Sequence, residues 1–174
     1  IVSLEDTKEE VWFSPSKLER ILYNLLSNAF KYTQPGGYVR LSAKLIKEEK
    51  ETMVQISVKD SGRGIPKDVQ EQIFESYYQV EKRDHREGFG LGLSLTRSLI
   101  HMHKGEIRVE SEVNKGSDFI VTLNVSEDAY APDERSSENI TTEEIQKYNQ
   151  RIKETIELIP EKLTNKEKRS EERR

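Results

Sequence analysis

The chain has no cysteine, which removes disulfides, thiolate metal sites and cysteine nucleophiles together and fits a reducing compartment. No apolar run approaches the ~20 residues that a membrane-crossing helix needs, and no signal peptide is visible. Neither sign of charge dominates: 28 basic residues against 32 acidic ones leave a net charge of −4, not the footprint of a bulk nucleic-acid binder. Apolar residues are scarce too. They make up 33% of the 174 residues, against 34% charged, so either the core is small for the length or part of the chain stands outside it. That length allows one domain plus an appendage. The first residue is Ile1, not Met, and the expectation is a soluble piece of something larger.

The scarcity is uneven. Up to Val125 hydrophobic runs recur every ten to twenty residues. Residues 126–140, from Ser126 through Pro132 to Ser137 and beyond, are polar and acidic and read as a linker. Thr141 with Glu144 forms a capping-box pattern. Ile145, Tyr148, Ile152, Ile156, Ile159 and Leu163 then fall on one helical stripe, which predicts an amphipathic connector helix over 141–163. Residues 164–174 are nearly all charge, and are expected to be a disordered end.

Within 1–125 strands and helices alternate. Val11 to Phe13 is a short strand candidate, with Trp12 expected to pack in or near the core. Ser14 as N-cap and Pro15 at the first helical position open a helix whose stripe, Leu18, Ile21, Leu22, Leu25, Leu26, Ala29 and Phe30, runs to about Tyr32. Strands are predicted near Tyr38–Ile46 and Met53–Lys59, a short helix from Pro66 to Phe74, and a helix from Leu91 to His103. Two further strands follow, near Glu106–Glu112 and Ser117–Val125. The fold class is α+β: a two-layer sandwich in which a mixed, mostly antiparallel sheet is covered by helices on one face.

Three segments carry chemistry. On the first helix Asn24, Asn28, Lys31 and Tyr32 share one face, rotated from the leucine stripe. Amide oxygens suit Mg²⁺, and an ammonium suits phosphate. Exposed helix faces commonly carry Asn and Lys, so the face alone does not mark a site. The second segment is Asp60-Ser61-Gly62-Arg63-Gly64-Ile65-Pro66. A carboxylate at a strand end accepts hydrogen bonds only and so selects an exocyclic amine such as adenine's, while the glycines allow close approach to a flat ring. An ordinary glycine-rich turn has the same composition. The third is Gly88-Phe89-Gly90-Leu91-Gly92-Leu93, which opens a helix and could bind phosphate through bared N–H groups. Its spacing is neither that of a Rossmann fingerprint nor that of a P-loop.

Taken together and in this order, the three segments resemble the N box and the first two glycine boxes of the catalytic ATP-binding domain of sensor histidine kinases, in the GHKL superfamily. Ile21 to Thr33 is similar to the N box nearly throughout. Ile73-Phe74-Glu75-Ser76-Tyr77-Tyr78-Gln79 is similar to the F box. His103-Lys104-Gly105-Glu106-Ile107 and Lys115-Gly116-Ser117 resemble the last helix-to-strand joint and the third glycine box. The resemblance spans Val11 to Val125. It departs at Phe89, where a small residue is usual, at Lys104, which replaces a common glycine, and at Asp118, which replaces a usual Thr.

The resemblance implies roles at the matching positions. Asp60 would take the adenine amine, in a pocket shaped by Gly62, Gly64 and Ile65. Asn28, with Asn24 nearby, would hold Mg²⁺ against the phosphates. Lys31 would reach the phosphates and Tyr32 would line the adenine or ribose side. Gly88, Gly90, Leu91, Gly92 and Leu93 would bound the triphosphate, and Phe74, Tyr78, Gln79 and Ser117 would complete the nucleotide site. The segment from Tyr78 to Glu87 would be a mobile lid. ATP-hydrolysing members of the superfamily carry a glutamate general base where this chain has Asn24, and an amide cannot take a proton at neutral pH. Transfer to a protein acceptor is therefore implied, from ATP with Mg²⁺, to a histidine on a dimerisation domain absent from this chain. His85, His101 and His103 read as structural. A response regulator or receiver domain would follow in the relay. The implied setting is cytoplasmic, as part of a membrane-bound sensor, with no nucleic acid and no membrane contact by this piece. The alternatives are a GHKL ATPase of the chaperone or DNA-processing type, disfavoured by Asn24, and a non-catalytic nucleotide-binding interaction module.

Overall fold

The computed structural model describes residues 2–4, 11–49, 51–76, 78 and 92–131. The connector helix expected over 141–163 and the charged end lie outside the described residues, as do Gln79, His85, Gly88, Phe89, Gly90 and Leu91.

Helix α1 spans Pro15–Tyr32 and buries Ile21, Leu25, Leu26 and Ala29, the stripe its spacing predicts. Pro15 suits the first turn, where an N–H would have no helical partner. The helix stops where Thr33 turns extended and gives both its N–H and its hydroxyl to the Ala29 carbonyl, at 3.1 and 2.6 Å. Gln34-Pro35-Gly36-Gly37 then keeps it from resuming.

Strand β1 covers Val2–Leu4, β2 Val39–Lys47, β3 Thr52–Asp60, β4 Glu106–Glu112 and β5 Gly116–Asn124. They form one sheet in the order β1-β2-β3-β5-β4. Every neighbouring pair is antiparallel except β1 with β2, so the sheet is mixed. Alternation does the packing. Leu41, Ile56, Val58, Phe119, Val121 and Leu123 turn toward α1 and toward α2, which spans Gly92–Met102, and form the core with Leu99 and Ile100. Lys59, Arg108 and Glu110 belong to the alternate, exposed positions.

Three readings of the sequence are corrected, and one strand is added. Residues 11–13 form no strand: Trp12 gives a single backbone bond to the Val125 carbonyl, at 3.0 Å, before Ser14-Pro15 turns the chain into α1. Its side chain is 36% exposed, not packed in the core. The helix expected from Pro66 is instead two 3-10 turns, Lys67–Val69 and Gln72–Phe74. Between them the Gln70 side chain reaches the carbonyls of Ile65 and Ser111, at 3.0 and 2.9 Å, and ties the segment to β4. Finally, β1 was not foreseen, because three residues are too few to show a period.

Past Val125 the chain stays on the domain for a few residues. Ser126 gives its N–H to the Asn124 side chain, Glu127–Ala129 makes a 3-10 turn, and the Tyr130 hydroxyl reaches the Asn124 carbonyl at 2.5 Å. No helix among the described residues is long and apolar enough to cross a membrane.

Leu25 is fully buried. Leu25→Ala should therefore cost about 2–5 kcal/mol of unfolding free energy, read from urea denaturation. A loss well under 1 kcal/mol would contradict the packing described.

Candidate functional site

Asp60 ends β3 and is only 4% exposed. Its Oδ1 accepts the Gly62 N–H at 2.7 Å, which fixes the tight turn that follows. Burial pushes its carboxyl above the ordinary carboxylate value, and nearby Asp118 adds to the effect; the N–H groups of Gly62 and Ser117 pull it back. Asp118 itself accepts the Ser57 hydroxyl at 2.6 Å.

The backbone of this turn is held from three sides. Ser61 gives its N–H to the Tyr38 carbonyl, at 3.1 Å, and its hydroxyl oxygen accepts the Tyr38 N–H at 2.8 Å. Arg63 gives its N–H to the Tyr32 carbonyl at the end of α1, at 3.4 Å, and takes the Asn114 N–H from the β4–β5 turn at 2.7 Å. Ile65 gives its N–H to the Ser111 hydroxyl at 2.8 Å. Ser111 donates in turn to the Gly116 carbonyl at 2.8 Å and lies 3.0 Å from the Ser117 hydroxyl. With its one proton and both lone pairs used, Ser111 joins the first glycine segment to the third. Gly116 has φ +107°, and a Cβ there would run into the Asp60 carbonyl; a glycine is required. Gly64 packs against the Glu112 backbone.

On α1, Asn24, Asn28, Lys31 and Tyr32 are all half-buried. Asn24 gives its Nδ2 proton to Thr96 Oγ1 at 2.7 Å, and Thr96 gives its own to the Gly92 carbonyl at 2.9 Å. Because the Thr96 proton is spent, the amide must present nitrogen to it. Oδ1 is thereby turned against the α-carbon of Gly92, where any side chain would collide with it. Asn28 has no hydrogen-bond partner among the described residues. The Tyr32 ring meets two cations, the Lys31 ammonium at 4.9 Å and the Arg63 guanidinium at 4.6 Å from its centre.

One face of α1 thus touches both other segments, the Asp60 turn through Tyr32 and the start of α2 through Asn24. Leu93 packs on the core from the first turn of α2, and Tyr78 packs on it too. Phe74 is inside that core, its ring edge-on to Phe119 at 6.4 Å with Arg97 over it. Ser117, buried, stands beside Asp60 in the sheet. Arg63, Thr96, Gln70 and Ser111 carry the assembly without having been singled out from the sequence. His101 is exposed, whereas His103 is buried and bonded through both ring nitrogens. Among the described residues no three His, Cys, Asp or Glu cluster as a metal cage.

The profile of the histidine kinase-, DNA gyrase B-, and HSP90-like ATPases matches residues 13–127. The chain belongs to this family. The adaptive-response sensory kinase SasA of Synechococcus sp. (strain JA-2-3B'a(2-13)) is 44% identical over 115 residues, covering 66% of this chain and 30% of that protein. SasA of Nostoc sp. (strain PCC 7120) is 41% identical over 115 residues, 66% of this chain and 28% of its own length. This chain therefore spans about 30% of the curated relatives it matches. Among solved structures, full-length ShkA in complex with AMPPNP superposes with a TM-score of 0.61 at 27% identity, covering 72% of this chain and 25% of that one. The nucleotide-free catalytic domain of histidine kinase ThkA gives 0.59 at 27% identity, covering 77% and 80%. Within the family, this is an ATP-binding catalytic domain of the histidine-kinase kind.

The upward shift at Asp60 has a sign. The folded protein holds this proton more tightly than the unfolded chain does, so stability is greatest below the unfolded value and falls as pH rises through the folded one. Asp60→Asn removes that dependence. The melting temperature of the variant relative to the native chain should rise between about pH 3.5 and pH 7; a relative fall over that range would contradict the assignment.

Proposed function

We propose that the domain binds Mg²⁺-ATP and donates the γ-phosphoryl group to a histidine on a dimerisation domain outside this chain. The observation that carries this is the α1 face that meets the Asp60 turn at one end and the start of α2 at the other. Asp60 accepts the adenine amine, within a turn whose backbone leaves no freedom to retreat. Gly62, Gly64 and Ile65 give the flat side of that pocket, and Tyr32, held by two cations, closes its edge. Lys31 and the start of α2 at Gly92 and Leu93 would take the phosphates, and the family resemblance gives the same role to Gly88, Gly90 and Leu91.

The amide oxygens fit Mg²⁺, a hard cation that keeps several waters and leans on substrate phosphates rather than on a protein cage. Asn28 would hold it; Asn24 would stand second, because its Oδ1 is turned against Gly92 while its nitrogen is tied to Thr96. Bound Mg²⁺ would neutralise charge on the phosphates as the bond to the leaving oxygen breaks. The residues of this chain orient the triphosphate, and an imidazole nitrogen from outside attacks the γ-phosphorus as ADP departs. Position 24 carries no carboxylate, so water is not activated there. The relay continues to a response regulator or receiver domain, on the cytoplasmic side where ATP is available.

The test mixes the purified chain with γ-labelled ATP, Mg²⁺ and the histidine-bearing dimerisation segment of a SasA-type relative. Label should appear on that segment as an acid-labile phosphohistidine, with little steady phosphate release by the chain alone. Rapid hydrolysis without an acceptor, and no label on the segment, would place the domain with the ATPases of its family instead.

A further inference from the structure

His103 lies at the far end of α2 from the glycine box, and is only 3% exposed. Its Nδ1 is 2.9 Å from the Leu99 carbonyl. A carbonyl carries no proton, so Nδ1–H donates and Nε2 keeps its lone pair. Nε2 accepts the N–H of Ser14, at 3.1 Å, where the incoming chain turns into α1. The backbone carbonyl of the same residue accepts the Asn124 N–H at 3.2 Å, and the Tyr130 hydroxyl, whose proton goes to the Asn124 carbonyl, lies 3.2 Å from it. One buried residue therefore holds the incoming segment, the end of β5 and the outgoing turn.

Helices α1 and α2 are consequently tied at two places: Ser14 to His103 at one end, Asn24 to Thr96 midway along. α2 has 11 residues, a rod of about 16 Å. Leu99 and Ile100 seat α2 in the core, and the two ties set how it lies along α1. With the remote tie cut, the core packing and the Asn24–Thr96 bond alone hold its first residue, Gly92, against the α1 face.

We propose that His103 is a positioning residue for the nucleotide site: its bond to Ser14 fixes the start of α2 against Asn24, and couples nucleotide binding to the segment that leads into α1. The proposal rests on the nucleotide reading of that site. His103 touches no nucleotide and takes no part in the transfer. By linkage, nucleotide binding tightens the Ser14 bond as much as the bond tightens binding.

Two amides separate the two ring nitrogens. In His103→Gln the side-chain oxygen stands in for Nε2 and can still accept the Ser14 N–H, while the Leu99 bond is lost. In His103→Asn the side-chain nitrogen stands in for Nδ1 and keeps the Leu99 bond, while Ser14 is released. AMPPNP with Mg²⁺ is titrated into each full chain by calorimetry, and each is melted to confirm cooperative folding. His103→Gln should bind within about threefold of the native chain, and His103→Asn should be weakened about tenfold or more. Equal affinities in the two variants would overturn the role given to His103. Should His103→Asn fail to fold, hydrogen exchange at the Ser14 amide of the native chain decides. Slowing on AMPPNP saturation supports the coupling, and unchanged exchange overturns it. A native chain that does not bind AMPPNP at all overturns the nucleotide reading itself, a distinct result.

Discussion

A carboxylate at the end of a central strand, taken almost out of water, must be met by N–H groups or it will not stay ionised. At Asp60 they come from Gly62 just ahead and from Ser117 on the neighbouring strand. Meeting that requirement dictates much of the surrounding structure. β5 must begin where β3 ends, in the register Asp60 to Ser117, and Gly116 must be a glycine for the strands to come that close. Ser111 then closes the gap between the turn and β5. The arrangement costs stability and keeps a buried carboxyl at the end of β3.

The helices serve the same end. α1 serves both segments because 3.6 residues per turn place Asn24, Asn28 and the Lys31–Tyr32 pair along one face while Ile21, Leu25 and Ala29 hold the adjoining one in the core. Its last carbonyl, on Tyr32, bonds Arg63, and its middle, at Asn24, bonds Thr96. The Asp60 turn and the start of α2 are thus set relative to each other by a single helix. The proposed function asks this site to orient a triphosphate for attack by an outside nucleophile, and rigidity of this kind serves that positioning.

Much of this was legible in the residues. The α1 stripe and the four antiparallel strands are strong periodic signals, and α2 and β4 fall close to where their patterns put them. The three segments proposed to carry the site stand out as a constellation because glycines and a strand-end aspartate are chemically distinctive. What was not legible depends on partners distant in sequence. Ser111 is one hydroxyl between glutamates, and its three bonds exist only once β4 lies beside β5. Thr96 looks like any helix residue until Asn24 arrives. Val11 to Phe13 has a strand's composition, yet only one backbone bond reaches it before the helix begins. Phe74 sat in a motif and proves to be part of the core against Phe119.

Two departures from the family pattern acquire physical meaning. Lys104 has φ +49°, the left-handed conformation that makes glycine common there. Asp118 is satisfied by Ser57, and its charge acts on Asp60 through the sheet.

The central claim is that the Asp60 turn, the polar face of α1 and the start of α2 make one nucleotide site. The most direct measurement is a calorimetric titration of the native chain with AMPPNP, with and without Mg²⁺. The account predicts saturable one-to-one binding that Mg²⁺ strengthens; absence of saturable binding at millimolar AMPPNP with Mg²⁺ present would contradict it.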